Sequence, residues 1–263
     1  MAKKETYINC ADGNVFEGMT SISSIIQNLE NSPDNARKIL RIMVDKNKAR
    51  SKEREITFLR KKAAEYGFNI QYVETAQIDA ITTGTTHGGI IAVCEERRIP
   101  SLLDHTDKLR PDGFYVMLDG VEDPYNFGYS VRSIYASGAD GIILSKRNWM
   151  EVAGIVAKSS AGTSELIPMY IAEPDEALCV FRALNYQIVA AGIRNSVSMY
   201  DAKLKKPVFL IVGGEKRGIS SSLLEKVDTV IRVEYGRNFK GSLSTASAAT
   251  ILSYEVFRQN REV

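Results

Sequence analysis

Val208-Phe209-Leu210-Ile211-Val212-Gly213-Gly214-Glu215-Lys216-Arg217-Gly218-Ile219 is the stretch on which the fold of the second half of the chain turns. Five apolar residues in succession suit a strand buried on both faces, at the centre of a parallel sheet. The glycines behind them permit close backbone approach, either to a ligand or to another segment of the chain. Further strand-like segments stand at Phe114–Leu118, Gly141–Leu144, Leu166–Ile171, Gln187–Ala190 and Thr229–Val233. Helical patterns separate them near Phe127–Ser137, Trp149–Lys158, 174–184 and Leu243–Gln259. Strands alternating with helices build a parallel sheet covered on both faces, so the expected class is α/β.

Upstream, residues 1–95 read as a small α/β unit of their own. Ser21–Leu29 has helical spacing, Ile39–Val44 is a β-like run, and Ser51–Tyr66 is a charged helix stopped by Gly67. Phe68–Val73 and Gly89–Cys94 follow as strands. The turn-rich loop Thr82–Gly89 offers small residues and backbone amides to a phosphate, or serves simply as a β-connection. Residues 96–112, charged and interrupted by Pro100 and Pro111, read as a linker to a second domain over 113–263.

The composition agrees with two domains. A chain of 263 residues that is 44% hydrophobic can fill two cores. No apolar run reaches the roughly 18 to 20 residues of a membrane span, and the first ten residues lack the apolar segment of a secretory signal. A cytoplasmic protein with no membrane partner is expected. Cys10, Cys94 and Cys179 are odd in number and far apart, and the only histidines are His87 and His105. Reduced thiols and no metal site are therefore expected.

Charge is unevenly placed. The net charge is only +2, yet the window Arg37–Lys62 carries +8 and leaves −6 elsewhere. Such a basic lobe points to a polyanion partner, because each neutralised phosphate releases counterions; a solvated helix face is the plainer alternative. Arg37, Lys38, Arg41, Lys46, Lys48 and Arg50 are the candidate phosphate contacts.

Several chemistries are unsupported. G-x-G-x-x-G after a strand, G-x-x-x-x-G-K-[ST] and G-x-S-x-G are all missing. Three loops remain, each after a strand of the second domain. The first runs from Asp119 through Asn126, Gly128, Arg132 and Ser133. The second is Gly213–Ile219, and the third is Gly241-Ser242-Leu243-Ser244-Thr245-Ala246-Ser247-Ala248-Ala249. Taken singly, each has a structural explanation: a helix cap at Asn126, a steric turn at the glycines, a close helix contact at the small residues.

In order, N-x-G-x-x-x-R-S at 126–133, G-x-E-x-x-G-I at 213–219 and Ser-Leu with small residues at 242–249 resemble the three motifs of the SpoU (TrmH-like) RNA 2′-O-methyltransferases of the SPOUT superfamily. The resemblance covers about residues 112–260. It implies an α/β domain with a trefoil knot, S-adenosylmethionine as methyl donor, and a homodimer with both active sites near the interface. The first domain, through Gly84–Val93, is similar to a ribosomal-protein-like RNA-binding domain, which adds His87 to the candidate RNA contacts. Ribosomal RNA is the expected substrate rather than transfer RNA.

By position, the resemblance makes Asn126 and Arg132 the catalytic pair with Glu215 in support. It makes Gly213, Gly214, Val233, Ser242 and Leu243 the donor-binding set. Arg132, protonated in nearly all circumstances, is assigned to the developing alkoxide and an adjacent phosphate. Residues six apart on a helix lie about 600° apart, so Asn126 meets Arg132 only if it sits in the preceding loop. Two departures stand out. Ser244 and Ala246 replace the family's usual Asn and Ser, and Glu234-Tyr235 replaces its usual Pro-Met. They leave open a non-catalytic RNA-binding protein on the same fold.

Overall fold

The computed structural model describes residues 15–32, 36–82, 87–145 and 152–261. They belong to two compact units: Met1–Arg97 with Asn148–Lys158, and Arg98–Arg147 with Ser159–Val263.

The first unit contains β1 (Val15–Glu17), α1 (Gly18–Asn31), β2 (Ile39–Asp45), α2 (Glu53–Tyr66), β3 (Asn69–Val73), α3 (Thr75–Asp79) and β4 (Ile90–Cys94). Its sheet has the order β1-β4-β2-β3, with β2 and β3 parallel and the other pairs antiparallel. On α1, Ile22, Ile25 and Ile26 form the apolar stripe, and they share a core with Phe16, Ile42, Val44, Ile56 and Leu59. Gly67 ends α2 in the left-handed region at φ 74°, a conformation that favours glycine, and its N–H returns to the carbonyl of Ala63.

The chain continues with β5 (Phe114–Asp119), α4 (Pro124–Ala136), β6 (Gly141–Leu144), α5 (Ala153–Ser159) and α6 (Thr163–Leu166). Next come β7 (Met169–Ile171), α7 (Pro174–Ala183), β8 (Gln187–Ala191), β9 (Val197–Ser198), β10 (Val208–Gly213), α8 (Ser221–Leu224), β11 (Thr229–Arg232) and α9 (Thr245–Asn260). Most of α5 belongs to the first unit, where Ala153 and Ala157 enter the core.

Seven strands form one parallel sheet in the order β7-β6-β5-β10-β8-β11-β9. β10 is central, as its apolar run predicts, and pairs with β5 in the register Phe209↔Tyr115. One face buries Tyr115, Met117, Phe209 and Ile211 under α7, where Phe181 stacks on Phe209 at 4.0 Å. The other face is covered by α4 and α9, which pack together through buried residues including Val131, Ile134, Leu252 and Val256. Because the strands are parallel, the loops after β5, β8, β10 and β11 gather on one carboxyl edge, the usual ligand side of such a sheet.

Several expectations need correction. α4 starts at Pro124 rather than Phe127, because Asp123 caps it through the N–H of Asn126 at 2.7 Å and Pro124 suits the first turn. The expected strand from Leu166 is helical up to that residue and extended only from Met169. The stretch 96–112 is not a free linker. From Arg98 it belongs to the second unit, with Ser101 bridged to Ile171 and Leu102 buried in the core. β1, α3, α6, α8 and β9, none longer than five residues, are too short for their sequence to show a period. Cys10, the loop residues 83–86 and the expected helical residues 149–151 lie outside the described residues.

Candidate active site at the carboxyl edge of the parallel sheet

Glu215, in the turn after β10, ties the three motif loops together. Its Oε1 accepts the side-chain amide of Asn126 at 3.0 Å and the backbone N–H of Thr245 at 3.2 Å. The hydroxyl of Thr245 in turn donates to the carbonyl of Gly213 at 2.9 Å. Thr245 thus has a structural role in the third loop that the resemblance does not assign. Its place one residue after a cap explains it, since a first-turn N–H has no partner within its own helix. A Cβ on Gly214 would lie 2.1 Å from the carbonyl oxygen of Gly120, and one on Gly213 would lie 2.6 Å from the carbonyl carbon of Gly218. Both glycines are therefore required by backbone packing between these loops, independently of any ligand.

Ser244, at the position where the resemblance leads one to expect Asn, is the N-cap of α9. Its hydroxyl accepts from the N–H of Ser247 at 3.2 Å and also contacts the Ser247 hydroxyl at 3.0 Å. Serine and asparagine are both strong N-caps, so the exchange keeps this local function.

Asn126 is the third residue of α4, not a loop residue, so Arg132 lies on a different face of the helix. The side-chain amide of Asn126 goes to Glu215 and not to Arg132, so of its two expected roles, orienting Arg132 or the ribose, the first is not made within one chain among the described residues. Arg132 is exposed and makes no hydrogen bond or ion pair among the described residues. It shares a stripe at i, i+4 and i+7 with Tyr125 and Tyr129, each 50% exposed. Asp119, which ends β5 on the same edge, has its carboxyl pushed above the usual range by burial, with the charge of Glu173 adding to the effect.

Gly213, Gly214, Val233, Ser242 and Leu243 also lie at or beyond strand ends on this edge. Tyr235 accepts the N–H of Leu243 through its hydroxyl at 3.3 Å, a contact absent from the expected set. The backbone N–H groups of Gly241 and Ser242, just ahead of Leu243, make no hydrogen bond among the described residues and are open to a polar ligand. Open amides beside the half-buried Val233 and Leu243 suit a ligand with a flat ring and a polar tail, so the residues present fit the expected donor. Among the described residues no cluster of His, Cys, Asp and Glu could hold a metal ion.

In the first unit the expected RNA contacts divide. Arg37 is 4% exposed, stacks over the Phe16 ring at 4.8 Å and donates to the carbonyl of Glu95. His87 is 1% exposed; it accepts the N–H of Gly89 at Nδ1, and its Nε2 contacts Asp79 at 2.9 Å. Burial takes both side chains off the surface, and Arg41 is half-buried in β2. Lys38 and Lys46 are exposed but paired with Glu95 and Glu74. Lys48 and Arg50 are exposed with no ion pair among the described residues.

A sequence model of the SpoU rRNA methylase family matches residues 113–254, more than half of the chain and all three motif loops. The chain belongs to the SpoU rRNA methylase family. A second model, for RNA 2′-O ribose methyltransferase substrate binding, matches residues 17–100, so this SpoU member has the substrate-binding domain ahead of the methyltransferase domain. It is similar to the 23S rRNA (guanosine-2′-O-)-methyltransferase RlmB of Shewanella oneidensis, 28% identical over 216 residues, covering 80% of this chain and 86% of that protein. RlmB of Xylella fastidiosa is 26% identical over 246 residues, covering 92% and 96%. Among solved structures, the AdoMet-bound rRNA methyltransferase from Sinorhizobium meliloti superimposes with a TM-score of 0.77. It is 24% identical, with 95% of this chain and 88% of that chain covered, and it shows that the two share a fold. This SpoU member is an RNA 2′-O-methyltransferase, and none of its described helices is long and apolar enough to cross a membrane.

Proposed function

We propose that the protein transfers a methyl group from S-adenosylmethionine to a ribose 2′-hydroxyl of ribosomal RNA, in the cytoplasm and as a homodimer. The observation that carries this reading is the joining of all three motif loops through Glu215 at the carboxyl edge of the sheet. The relatives named for 23S ribosomal RNA favour that substrate over transfer RNA.

S-adenosylmethionine, when bound, supplies an electrophilic methyl group on a sulfonium sulfur. Gly213, Gly214, Val233, Ser242 and Leu243 hold it, through backbone groups of the loops after β10 and β11. Arg132 stabilises the negative charge that grows on the 2′-oxygen and grips a neighbouring phosphate. Asn126 and Glu215 act as positioning residues that fix the start of α4 against the loop after β10. The return from β11, near one end of the sheet, to α9 against β10 supports a trefoil-knotted thread in this region.

The dimer covers the outer surface of α4 and α9. Tyr125 and Tyr129 on α4 are 50% exposed, and Tyr254 and Phe257 on α9 are 43% and 44% exposed, more aromatic surface than a monomer gains by leaving in water. Burying this surface places Arg132 beside the partner copy.

Incubating the full chain with methyl-labelled S-adenosylmethionine and ribosomal RNA tests the reading. Label in the RNA is expected; RNA that stays unlabelled while S-adenosylmethionine binds would count against it.

A further inference from the structure

The segment between β11 and α9 carries a feature that donor binding does not use. Residues Glu234–Ser242 are exposed and include Tyr235, Arg237, Phe239 and Lys240. Phe239 is 55% exposed, yet its position is defined. A Cβ on Gly241 would lie 2.5 Å from the tip of the Phe239 ring, so the ring rests directly over a glycine. The ring of Tyr235 meets it edge-on, with centroids 5.6 Å apart and planes at 61°. Tyr235 is itself held by the N–H of Leu243, at the start of the third motif. Arg237 and Lys240 belong to the same exposed segment and make no ion pair among the described residues.

An aromatic ring held in place and left half in water gains little for folding, because its apolar area stays hydrated. Aromatic faces between free cations are what single-stranded nucleic acid uses. Bases stack on the rings whatever their identity, and phosphates pair with the cations. A duplex offers no free base face, so the partner that fits is an unpaired stretch of RNA. The location also fits, since Tyr235 is hydrogen-bonded to Leu243 and Thr245, two residues on, is bonded to Glu215.

We propose that Phe239, seated on Gly241 and braced by Tyr235, stacks on an unpaired nucleobase next to the target nucleotide, while Arg237 and Lys240 hold its phosphates. The loop is thus a substrate-selecting element that requires the methylated site to be single-stranded. It rests on the reading that the chain methylates RNA.

The test uses the full chain and two probes. A single-stranded 20-nucleotide RNA carrying 2-aminopurine reports stacking, with the same strand in a perfect duplex as comparison. The wild type changes the probe's fluorescence in the single strand and not in the duplex. Phe239→Ala abolishes that change, weakens single-strand binding about tenfold, and leaves the affinity for S-adenosylmethionine within about twofold. Phe239→Trp restores the signal. The exposed position keeps the melting temperature unchanged, so loss of signal is not loss of fold.

An unchanged single-strand affinity in Phe239→Ala overturns the proposal. So does a selective loss of S-adenosylmethionine affinity, which would place the ring in the donor site. A 2-aminopurine signal equal in duplex and single strand also overturns it. Failure of the wild type to label ribosomal RNA would strike the proposed function instead, because the stacking signal does not depend on methyl transfer.

Discussion

The side-chain amide of Asn126 donates to Oε1 of Glu215 at 3.0 Å, across 89 positions of sequence. The same oxygen takes the N–H of Thr245, so one carboxylate holds the first turn of α4 and the first turn of α9 together. Glu215→Ala should therefore loosen both at once. The expected result is a loss of about 1 kcal/mol in urea unfolding, with kcat falling more than the RNA KM rises. Glu215→Gln keeps an acceptor and should recover most of the stability. Equal kinetics for the two variants would remove Glu215 from the positioning role.

Arg132 faces solvent on the stripe of α4 that it shares with Tyr125 and Tyr129, without an internal partner among the described residues. Nothing in the fold of one chain uses it. Arg132→Ala should leave stability and S-adenosylmethionine affinity nearly unchanged in unfolding and calorimetry, while methyl transfer falls by 10²-fold or more, on the order of an electrostatic transition-state contact. Full activity in that variant would take Arg132 out of the mechanism.

Ser244 caps α9 in place of the family's usual asparagine. Ser244→Ala should cost about 1 kcal/mol, the typical loss of an N-cap, whereas Ser244→Asn should be close to neutral. Urea unfolding of the two variants distinguishes a cap from a residue that matters only for substrate. If both are equally destabilised, the cap is not the function of the hydroxyl.

On the first unit, Lys48 and Arg50 are the candidates left free by burial and pairing. The double variant Lys48→Gln/Arg50→Gln should flatten the dependence of log RNA affinity on log salt by about 1.5, two phosphates' worth. Arg37→Gln should leave that slope alone and lower stability, since Arg37 is buried over Phe16. Fluorescence anisotropy across a potassium chloride series reads both, and an unchanged slope in the double variant would make this surface a mere solvated face.

The central sheet is legible because β5, β8 and β10 are runs of apolar residues long enough to stand out from the helices between them. The helix opening Asp123-Pro124 is readable as a cap followed by proline, three residues ahead of Phe127, where the apolar helical pattern begins. With Asn126 inside α4, helix geometry keeps it from Arg132 and its amide goes to Glu215. β9 and α8, with two and four residues, are too short to show a period. The burial of Arg37 and His87 depends on neighbours distant in sequence or in a turn, which charge counting does not see. Ala153 and Ala157 join the first unit's core from beyond β5 and β6 of the other unit, and no local pattern records that.

The most direct test of the account is the chemical position of the methyl group. Ribosomal RNA labelled by the wild-type protein from methyl-tritiated S-adenosylmethionine should, after alkaline hydrolysis, carry its label in dinucleotides, because a methylated 2′-oxygen cannot attack the adjacent phosphate. Label appearing in mononucleotides would mean that the methyl sits on a base, and the assignment of Arg132 to a ribose oxygen would be contradicted.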